Sequence, residues 1–395
     1  MDARVVIIGG GNAGLSVAGR LRRAGLRDVT VIEPRGTHVF APLQSHIAGG
    51  VARASEAARP QQDVTPRGVR WVQDAATAVD ADARTVTLAS GDVLPYDQLV
   101  LCPGIHMDWD AVPGLAEAMD TPEGVSNYDY ALAAKASPVL RDVRGGTVVF
   151  VQAGSATTCP GAAQKPMYLA CDWWRATGVL ADIRVVLVTP ERSLHGIDAI
   201  DAELRRKVEE YGIEVRRGAH LLAVDSATRT VTIGTADAAE TLAYDVLHAA
   251  PPQSAPAWLE PTGLTVPRSS GGWIDIDPET LRHRRRPEVW ALGDAAAIDA
   301  YRSGGGLRSQ AKVLAANLVA AVRGREIRAR FDGYGVCPYT VSRRTVVFAE
   351  FDRRGRLEPT VPFWRTLYRE RRFSWVMDRR ILPWVYWHLI LSGRA

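Results

Sequence analysis

The fold of this chain is decided by its first strand and turn, Val5-Val6-Ile7-Ile8-Gly9-Gly10-Gly11-Asn12-Ala13-Gly14. The four leading residues are apolar and β-branched, as in a buried parallel strand, and the next six fit the pattern Gly-x-Gly-x-x-Gly. Leu15, Ala18 and Leu21 follow at helical spacing, and a second apolar run then ends in Glu33. This order of elements predicts a dinucleotide-binding unit: a strand, a glycine turn, a helix, a second strand and an acid.

The glycines of the turn each have a physical role in that prediction. Gly9 makes the tight turn, Gly11 lets a pyrophosphate approach the backbone, and Gly14 lets the helix pack closely on the strand. An acid about 20 residues further on, Glu33, can accept hydrogen bonds from ribose hydroxyls, which suits FAD or NAD better than NADP. Turn chemistry alone accounts equally well for Asn12. The residues that we expect to contact the cofactor in this part are Gly9, Gly11, Asn12, Ala13, Gly14, Glu33, Pro34 and Gly104.

A second signature comes late in the chain, where an apolar strand beginning at Val289 runs into Gly293 and Asp294. In flavoproteins with two dinucleotide-binding domains, an acid at this place accepts a hydrogen bond from the ribityl chain of FAD. A helix predicted over 310–322, which begins with Gln310, can aim its N-terminus at the flavin ring, where its dipole favours negative charge. We therefore expect FAD, bound by a discontinuous domain made of residues 1–110 and 271–330.

The bulk composition is that of an ordinary globular protein. The chain has 395 residues, 47% hydrophobic and 23% charged, which is enough for two domains and an extension. Its net charge of +4 is too small to indicate nucleic-acid binding, and no base-reading motif occurs. No run of about 18 apolar residues is present and the first strand begins at about Arg4, so we expect neither a membrane span nor a targeting segment. No metal site is expected, because His38 and His46 have no apparent carboxylate partner.

The middle of the chain, residues 111–270, predicts a second α/β domain that has lost its phosphate loop. A strand over 146–151 is followed by Gln152-Ala153-Gly154-Ser155-Ala156-Thr157-Thr158-Cys159-Pro160-Gly161, which breaks the Gly-x-Gly-x-x-Gly spacing. The pattern then resumes with a strand, a helix and another strand, predicted over 183–188, 201–211 and 213–215. Because the phosphate loop is missing, NAD(P)H is not the expected electron donor.

Two of the four cysteines, Cys159 and Cys337, have neighbours in the sequence that are unusual for buried structural thiols. Each is followed by proline and lies near glycines, residues that mark turns and loops. We interpret both as thiols that meet at the flavin and pass electrons into it from a sulfur compound; the alternative is a small apolar residue in a turn. Lys165 can lower the pKa of Cys159 as a nearby cation, or be a solvated surface residue. Cys102 and Cys171 are expected to pack in the core.

Residues 331–395 form an extension rich in tryptophan and arginine. Its apolar stretch over 381–391 is too short to span a bilayer. Aromatic rings and arginines together suit the headgroup layer, so we expect the extension to bind a membrane surface; a dimer interface, which favours the same residue types, is the alternative. The residues behind this expectation are Phe363, Trp364, Arg365, Arg369, Arg371, Arg372, Phe373, Trp375, Arg379, Arg380, Trp384, Tyr386 and Trp387.

Together these segments resemble the sulfide:quinone oxidoreductases, in the branch that includes the mitochondrial enzymes, and the resemblance covers nearly the whole chain. Its most specific mark is Cys159-Pro160-Gly161-Ala162-Ala163-Gln164-Lys165-Pro166-Met167-Tyr168-Leu169. The other marks are His248-Ala249-Ala250-Pro251-Pro252, Gly272-Trp273-Ile274-Asp275-Ile276-Asp277, Thr280-Leu281-Arg282-His283-Arg284, Asp332-Gly333-Tyr334, Cys337-Pro338, Ala349-Glu350-Phe351-Asp352, Leu382-Pro383 and Tyr386-Trp387.

The resemblance implies an α/β fold with two Rossmann-like, doubly wound domains of the two-dinucleotide-binding flavoprotein type and a C-terminal amphipathic, membrane-associating extension. It implies that Cys159 and Cys337 form a disulfide, or a sulfur-bridged form of one, which sulfide attacks to leave a persulfide on one cysteine and a thiolate on the other. Electrons pass through FAD to a membrane quinone, and a small acceptor such as a thiol or sulfite removes the sulfur. The expected protein is a peripheral membrane protein on the cytoplasmic face, with homo-oligomer formation left open.

One segment departs from the resemblance, and two alternative functions stay open. Relatives usually have Ser-Lys-Thr in the segment after Gly-Asp, whereas this chain has no lysine over 298–309, so quinone as acceptor is less firmly implied than the sulfur chemistry. A type II NADH:quinone dehydrogenase is the first alternative, but it predicts a second phosphate loop near Val151 and has no use for Cys159 and Cys337. The second is a non-catalytic flavoprotein that senses redox state, which quinone-dependent turnover would exclude.

Overall fold

A computed structural model describes residues 3–154, 157–235, 238–361 and 364–395. Ser155, Ala156 and Phe363, which the sequence analysis named, lie outside these described residues. The expected α/β architecture is confirmed, with two parallel five-stranded sheets. The first sheet has the spatial order Val289–Ala291, Gln98–Leu101, Val5–Ile8, Val29–Ile32 and Arg70–Val72, with every neighbouring pair parallel.

The helix that follows the first strand covers Asn12–Arg23, so it begins at the glycine turn, three residues before the predicted Leu15. Its buried face includes Leu15, Ala18 and Leu21, the residues whose spacing predicted it. This helix packs against helix Leu307–Val322, which also begins three residues before its predicted start at Gln310. Both helices therefore have their N-termini at the carboxyl edge of the first sheet, where α/β folds place their ligands.

The second sheet has the spatial order Gly124–Val125, Val246–Ala249, Gly146–Val151, Ile183–Thr189 and Glu214–Arg217, and it is also fully parallel. Its strands are near-continuous apolar runs in the middle of the sheet, as expected when both faces are covered. The covering and connecting helices of this part are Leu115–Asp120, Tyr130–Asp142, Gln164–Thr177 and Asp198–Tyr211.

Smaller antiparallel elements complete the body of the chain. The small sheets are Thr37–Val39 with Ala58–Pro60; Ala76–Asp80, Thr85–Leu88 and Val93–Pro95; His106–Met107 with Gln253–Ser254; and His220–Asp225, Thr230–Gly234 and Ala239–Ala243. The short helices near the glycine turn are Gln44–Ala48, Ala54–Ala57 and Gln61–Val64.

The extension consists of a hairpin and a helical segment. The hairpin pairs Gly335–Ser342 with Thr345–Phe351, and we call it the cysteine hairpin because it contains Cys337. The C-terminal helix, residues 372–390, is a continuous helical segment with wide π-type turns at Met377–Ile381 and Tyr386–Ile390. Across the described ranges, none of the helices combines the length and the apolarity that a membrane span needs.

Candidate active site

A cavity of about 460 Å³ opens at the carboxyl edge of the first sheet and extends to the C-terminal helix. Its wall brings together residues that are far apart in sequence, from the glycine turn, the strand ends, the cysteine hairpin and the C-terminal helix. The predicted site residues that line it are Gly11, Asn12, Ala13, Gly104, Cys159, Lys165, Gly293 and Asp294. The remaining predicted site residues, which lie outside the wall, are Gly9, Gly14, Glu33, Pro34, Gln310 and Cys337.

The glycine turn has the shape that a bound pyrophosphate needs. Gly9 has φ +103°, and a Cβ atom there would lie 2.1 Å from the carbonyl oxygen of Cys102. A Cβ on Gly14 would lie 1.9 Å from the carbonyl oxygen of Gly9, so helix and strand touch at this glycine. A Cβ on Gly11 would meet nothing within 4 Å. Gly11 thus leaves open space at a helix N-terminus, which fits a dinucleotide phosphate.

The acid of the dinucleotide motif is buried and already well partnered. Glu33 accepts hydrogen bonds from the Gly10 amide at 2.9 Å and from the Arg35 Nε at 2.8 Å. Burial opposes the charge of the Glu33 carboxylate, but Arg35 outweighs it and lowers the pKa of that carboxyl group. Pro34, between them, is exposed. Arg35 also lines the cavity and was not predicted, although a cation two residues after the acid was visible in the sequence.

Gly293 and Asp294 come from the other end of the chain to the same cavity. The Gly293 amide donates to Gln310 Oε1 at 3.0 Å, so Gln310 holds the turn from helix Leu307–Val322 without lining the cavity. Asp294 does line the cavity, and burial raises the pKa of its carboxyl group. A carboxyl group on this wall can bond the hydroxyls of a ligand.

The two cysteines meet, with 3.8 Å between the Sγ atoms of Cys159 and Cys337. Cys159 has a left-handed backbone, with φ 41° and ψ 66°, which is a strained conformation for a residue other than glycine. Backbone contacts hold it there, because its amide donates to the Arg302 carbonyl at 2.6 Å and its carbonyl accepts from the Tyr128 hydroxyl at 3.0 Å. Cys159 faces the cavity, whereas Cys337 lies behind it and is buried.

The surroundings favour the thiolate of Cys337 over that of Cys159. Burial disfavours its thiolate, yet the hydrogen bond from the Cys159 thiol, the charge of Lys165 and the hydroxyls of Tyr301 and Tyr339 together lower the pKa of Cys337 to about 6. The hydrogen bond with Cys337, together with burial, raises the pKa of Cys159. Lys165 acts on Cys159 in the predicted direction, but this effect is outweighed there.

Lys165 is buried in helix Gln164–Thr177, so the alternative of a solvated surface lysine is wrong. Burial opposes its charge, but the sulfurs of Cys159 and Cys337 and the carboxylate of Asp378 raise the pKa of Lys165. In the part of the chain that the structure describes, its ammonium group makes no ion pair. Cys102 and Cys171 are buried core residues, as expected.

The expectation that His46 has no carboxylate partner is wrong. His46 Nε2 lies 3.1 Å from Asp378 Oδ2, and the Thr340 hydroxyl donates to the same carboxylate oxygen at 3.1 Å. Asp378 was missed because it lies in the C-terminal helix, and no local pattern links it to His46. His38 is a buried histidine, with its Nε2 2.6 Å from the Tyr386 hydroxyl.

The segment 298–309, where the chain departs from its resemblance, lies against both cysteines. The Tyr301 hydroxyl accepts from the Gly161 amide at 3.1 Å. Arg302 Nε donates to the Asp294 carbonyl at 3.1 Å, and its guanidinium lies 4.3 Å from the ring centre of Trp273. The lysine of the related segment is absent, but a cation is retained nearby as Arg302.

Known proteins resemble this chain over most of its length. Residues 3–315 match the pyridine nucleotide-disulphide oxidoreductase family. A mitochondrial sulfide:quinone oxidoreductase from Mus musculus is 28% identical over 393 residues, covering 98% of this chain and 86% of that protein. An NADH dehydrogenase-like protein from Mycobacterium tuberculosis is 32% identical over 312 residues, covering 74% of this chain and 73% of that one.

Among solved structures, the sulfide:quinone oxidoreductase from the bacterium Aquifex aeolicus superimposes with a TM-score of 0.84 at 18% identity. The match covers 99% of this chain and 92% of that chain, so the two share a fold over their whole length.

Proposed function

Because the chain belongs to the pyridine nucleotide-disulphide oxidoreductase family, we propose that it is an FAD-dependent enzyme that oxidises sulfide and passes the electrons to a quinone. The observation that carries this proposal is the meeting of Cys159 and Cys337, 3.8 Å apart, at the wall of the cavity that begins at the glycine turn. Curated relatives named sulfide:quinone oxidoreductase align with 98% or more of the chain, which supports the same function.

The residues of the cavity fit FAD. The open space at Gly11 and the helix N-terminus at Asn12 and Ala13 would hold the pyrophosphate, Glu33 the ribose, and Asp294 the ribityl chain. When bound there, FAD would supply two-electron redox chemistry between the sulfur site and the quinone. We propose that residues 1–110 and 271–330 form the FAD domain and that residues 111–270 form a second domain.

The cysteines carry out the sulfur chemistry. Hydrosulfide attacks one sulfur of a Cys159–Cys337 disulfide, a new sulfur–sulfur bond forms, and the old bond breaks with its electron pair on the other cysteine. The products are a persulfide on one cysteine and a thiolate on the other, so atoms and charge balance. Lys165 favours this step because its buried ammonium stabilises the thiolate. A thiol or sulfite then removes the outer sulfur.

We propose that the C-terminal helix binds the cytoplasmic face of a membrane and that the quinone enters the cavity there. Its solvent side exposes Phe373, Val376, Ile381 and Trp384, with exposed fractions of 42% to 56%. Its inner side lines the cavity through Met377, Leu382, Val385, Tyr386 and Ile390. An apolar quinone in the headgroup layer would thus reach the cavity past one helix. The alternative is a homo-oligomer whose interface covers the same exposed side of the helix.

The test is an anaerobic titration of the purified flavoprotein. Sulfide is expected to bleach the flavin absorbance, and a short-chain quinone is expected to restore it. Bleaching without recovery would leave the sulfur chemistry standing and contradict quinone as the acceptor. Bleaching by NADH but not by sulfide would favour the dehydrogenase alternative. That alternative is supported by the relative named an NADH dehydrogenase-like protein, which is 32% identical to this chain.

A further inference from the structure

A histidine and a carboxylate line the cavity beside the C-terminal helix, and neither takes part in the sulfur exchange described above. His46 lies on helix Gln44–Ala48, and Asp378 lies on the C-terminal helix. The same C-terminal helix otherwise lines the cavity with mainly apolar side chains, among them Met377 and Leu382. A pair of ionisable groups in the apolar wall of a cavity is a candidate for chemistry on the ligand.

The contacts within this pair occupy one nitrogen of the imidazole. His46 Nε2 lies 3.1 Å from Asp378 Oδ2. The Thr340 hydroxyl, on the cysteine hairpin, donates to the same oxygen at 3.1 Å and lies 3.3 Å from Nε2. Burial opposes the charge of Asp378, but His46, Lys165 and Thr340 lower the pKa of its carboxyl group. It is therefore a carboxylate at neutral pH, which can only accept, and it holds a proton on Nε2.

The other nitrogen of His46 is left without a partner. The His46 side chain is only 3% exposed, and its Nδ1 is buried with no hydrogen-bond partner among the residues that the structure describes. A buried polar atom without a partner costs free energy, so an orphaned nitrogen on a side chain of the cavity wall indicates a missing ligand. Because Nε2 keeps its proton, Nδ1 is the nitrogen that can gain and release one.

Close packing fixes the position of the helix that carries this imidazole. A Cβ atom on Gly49 would lie 2.2 Å from Leu169 Cδ1, so the end of helix Gln44–Ala48 lies directly against helix Gln164–Thr177. The helix therefore cannot shift towards its neighbour, and the imidazole stays beside the carboxylate that holds it.

We propose that His46 is the catalytic acid that protonates the bound quinone from Nδ1, and that Asp378 positions it by holding Nε2. The proposal rests on the proposed function, since it concerns the quinone that takes electrons in this cavity. A quinone becomes a quinol by taking two electrons and two protons. Both electrons and one proton come from the reduced flavin, which leaves the monoanion of the quinol. The Nδ1–H bond of the His46 imidazolium then breaks, an O–H bond forms on the quinol, and the neutral imidazole regains a proton from water.

Another carboxyl group in the cavity wall is a competing acid. Glu350, on the cysteine hairpin, accepts from the Tyr334 hydroxyl at 2.5 Å through Oε1 and from the Thr360 amide at 3.0 Å through Oε2. Both of its oxygens are therefore partnered, whereas Nδ1 of His46 is not. This difference favours His46, and the test includes Glu350 as the rival.

The test separates proton transfer from electron transfer. The flavin of the holoenzyme is reduced anaerobically with one equivalent of dithionite, which bypasses the sulfur site. It is then mixed in a stopped-flow instrument with a short-chain quinone, or with ferricyanide, which takes electrons without protons. In His46→Gln the limiting rate with the quinone is expected to fall about 100-fold, and the rate with ferricyanide should stay as in the wild type. Equilibrium quinone binding, followed by quenching of tryptophan fluorescence, should be unchanged.

Further variants test the role of each partner. Imidazole added to His46→Ala should restore part of the quinone rate, because it is a small acid that fits the vacated space. Asp378→Asn should slow the quinone reaction and not the ferricyanide reaction, and Asp378→Glu, which keeps a carboxylate, should recover part of the rate. The matched control is His220→Gln, the same substitution at an exposed histidine on strand His220–Asp225, which should react as the wild type does.

The outcomes distinguish this proposal from the proposed function. A wild-type quinone rate in His46→Gln, or equal losses with quinone and ferricyanide, would overturn the role of His46 and leave the proposed function intact. A loss of the quinone rate in Glu350→Gln but not in His46→Gln would overturn it in favour of Glu350. Failure of the quinone to reoxidise the wild-type flavin would count against the proposed function itself and this proposal with it.

Discussion

At the scale of single residues, the proposed sulfur chemistry depends on two sulfur atoms that the fold holds 3.8 Å apart. We expect Cys159→Ser and Cys337→Ser each to abolish flavin reduction by sulfide, because exchange needs both sulfurs. Both variants should keep FAD, since Cys337 lies outside the cavity wall and serine is smaller than cysteine. Stopped-flow absorbance under sulfide checks the rate, and the flavin-to-protein ratio checks the cofactor. Wild-type reduction rates in either variant would contradict the two-cysteine mechanism.

Lys165 is expected to set the pH at which the cysteine pair loses its proton. Its positive charge helps to lower the pKa of Cys337 to about 6, so Lys165→Met should raise that pKa and move the rise of activity to higher pH. If the midpoint rises above pH 7, the rate of sulfide-dependent reduction at pH 7 should fall by about tenfold for each further pH unit. Pre-steady-state rates between about pH 5 and 9 bracket the ordinary cysteine pKa and measure this, with the exposed Lys312→Met as control. Identical pH profiles for the two variants would exclude the role of Lys165.

At the scale of elements, two glycines of the glycine turn have different roles. Gly14 is needed for the helix to pack on the strand, and Gly11 is expected to be needed for FAD binding. Gly14→Ala puts a methyl group 1.9 Å from the Gly9 carbonyl oxygen, so the protein should lose stability with or without FAD. Gly11→Ala meets no protein atom within 4 Å, so it should leave the stability of the apoprotein unchanged and weaken FAD binding by about tenfold or more. Thermal unfolding of apoprotein and holoprotein measures both. Equal behaviour of the two variants would contradict a pyrophosphate site at Gly11.

The C-terminal helix presents apolar side chains on its solvent side and cavity-lining side chains on its inner side. Ile381→Glu combined with Trp384→Glu should abolish sedimentation with anionic liposomes, because two charges would have to enter the headgroup–acyl boundary. Flavin bleaching by sulfide should persist. The control is Val93→Glu with Leu222→Glu, which changes two exposed apolar residues elsewhere. Unchanged sedimentation, or loss of a dimer in place of liposome binding, would count against the membrane assignment.

At the scale of the whole molecule, the C-terminal helix is tied to the start of the chain by polar contacts. Arg379 Nη2 donates to both carboxylate oxygens of Glu56, at 2.9 and 2.7 Å, and Asp378 Oδ2 lies 3.1 Å from His46 Nε2. The Tyr386 hydroxyl adds a bond to His38. The extension is therefore part of the packed structure, and removing it would expose core residues as well as the helix surface.

We expect Asp378 to make the free energy of unfolding depend on pH in the acid range. Burial opposes its charge, but His46, Lys165 and Thr340 lower the pKa of the Asp378 carboxyl group in the folded protein. A lowered folded-state pKa contributes stability above the unfolded value of about 4, and that stability is lost as the pH falls through the folded-state pKa. Asp378→Asn should cost about 3 kcal/mol at pH 7 and less at pH 3. Denaturant unfolding at both pH values measures this, and an equal cost at both would contradict it.

Local patterns in the sequence were sufficient for much of the fold. The spacing of Gly9, Gly11 and Gly14 and the apolar runs around them placed the first strand, its helix and the dinucleotide turn, because these depend on neighbours within a few residues. The boundaries were less accurate. Helices Asn12–Arg23 and Leu307–Val322 begin three residues earlier than predicted, because apolar spacing identifies the buried face of a helix and not its first residue.

The sequence by itself determined the α/β architecture and the dinucleotide turn, and it singled out Cys159 and Cys337 as candidates, because each leaves a mark in a short stretch of chain. Only the tertiary structure decided that Cys337 lies behind the cavity wall and that Asp378 partners His46. These groups come from segments far apart in the chain, and no local spacing encodes their contact. Burial and mutual charge, which set their pKa values, exist only once the chain has folded around them.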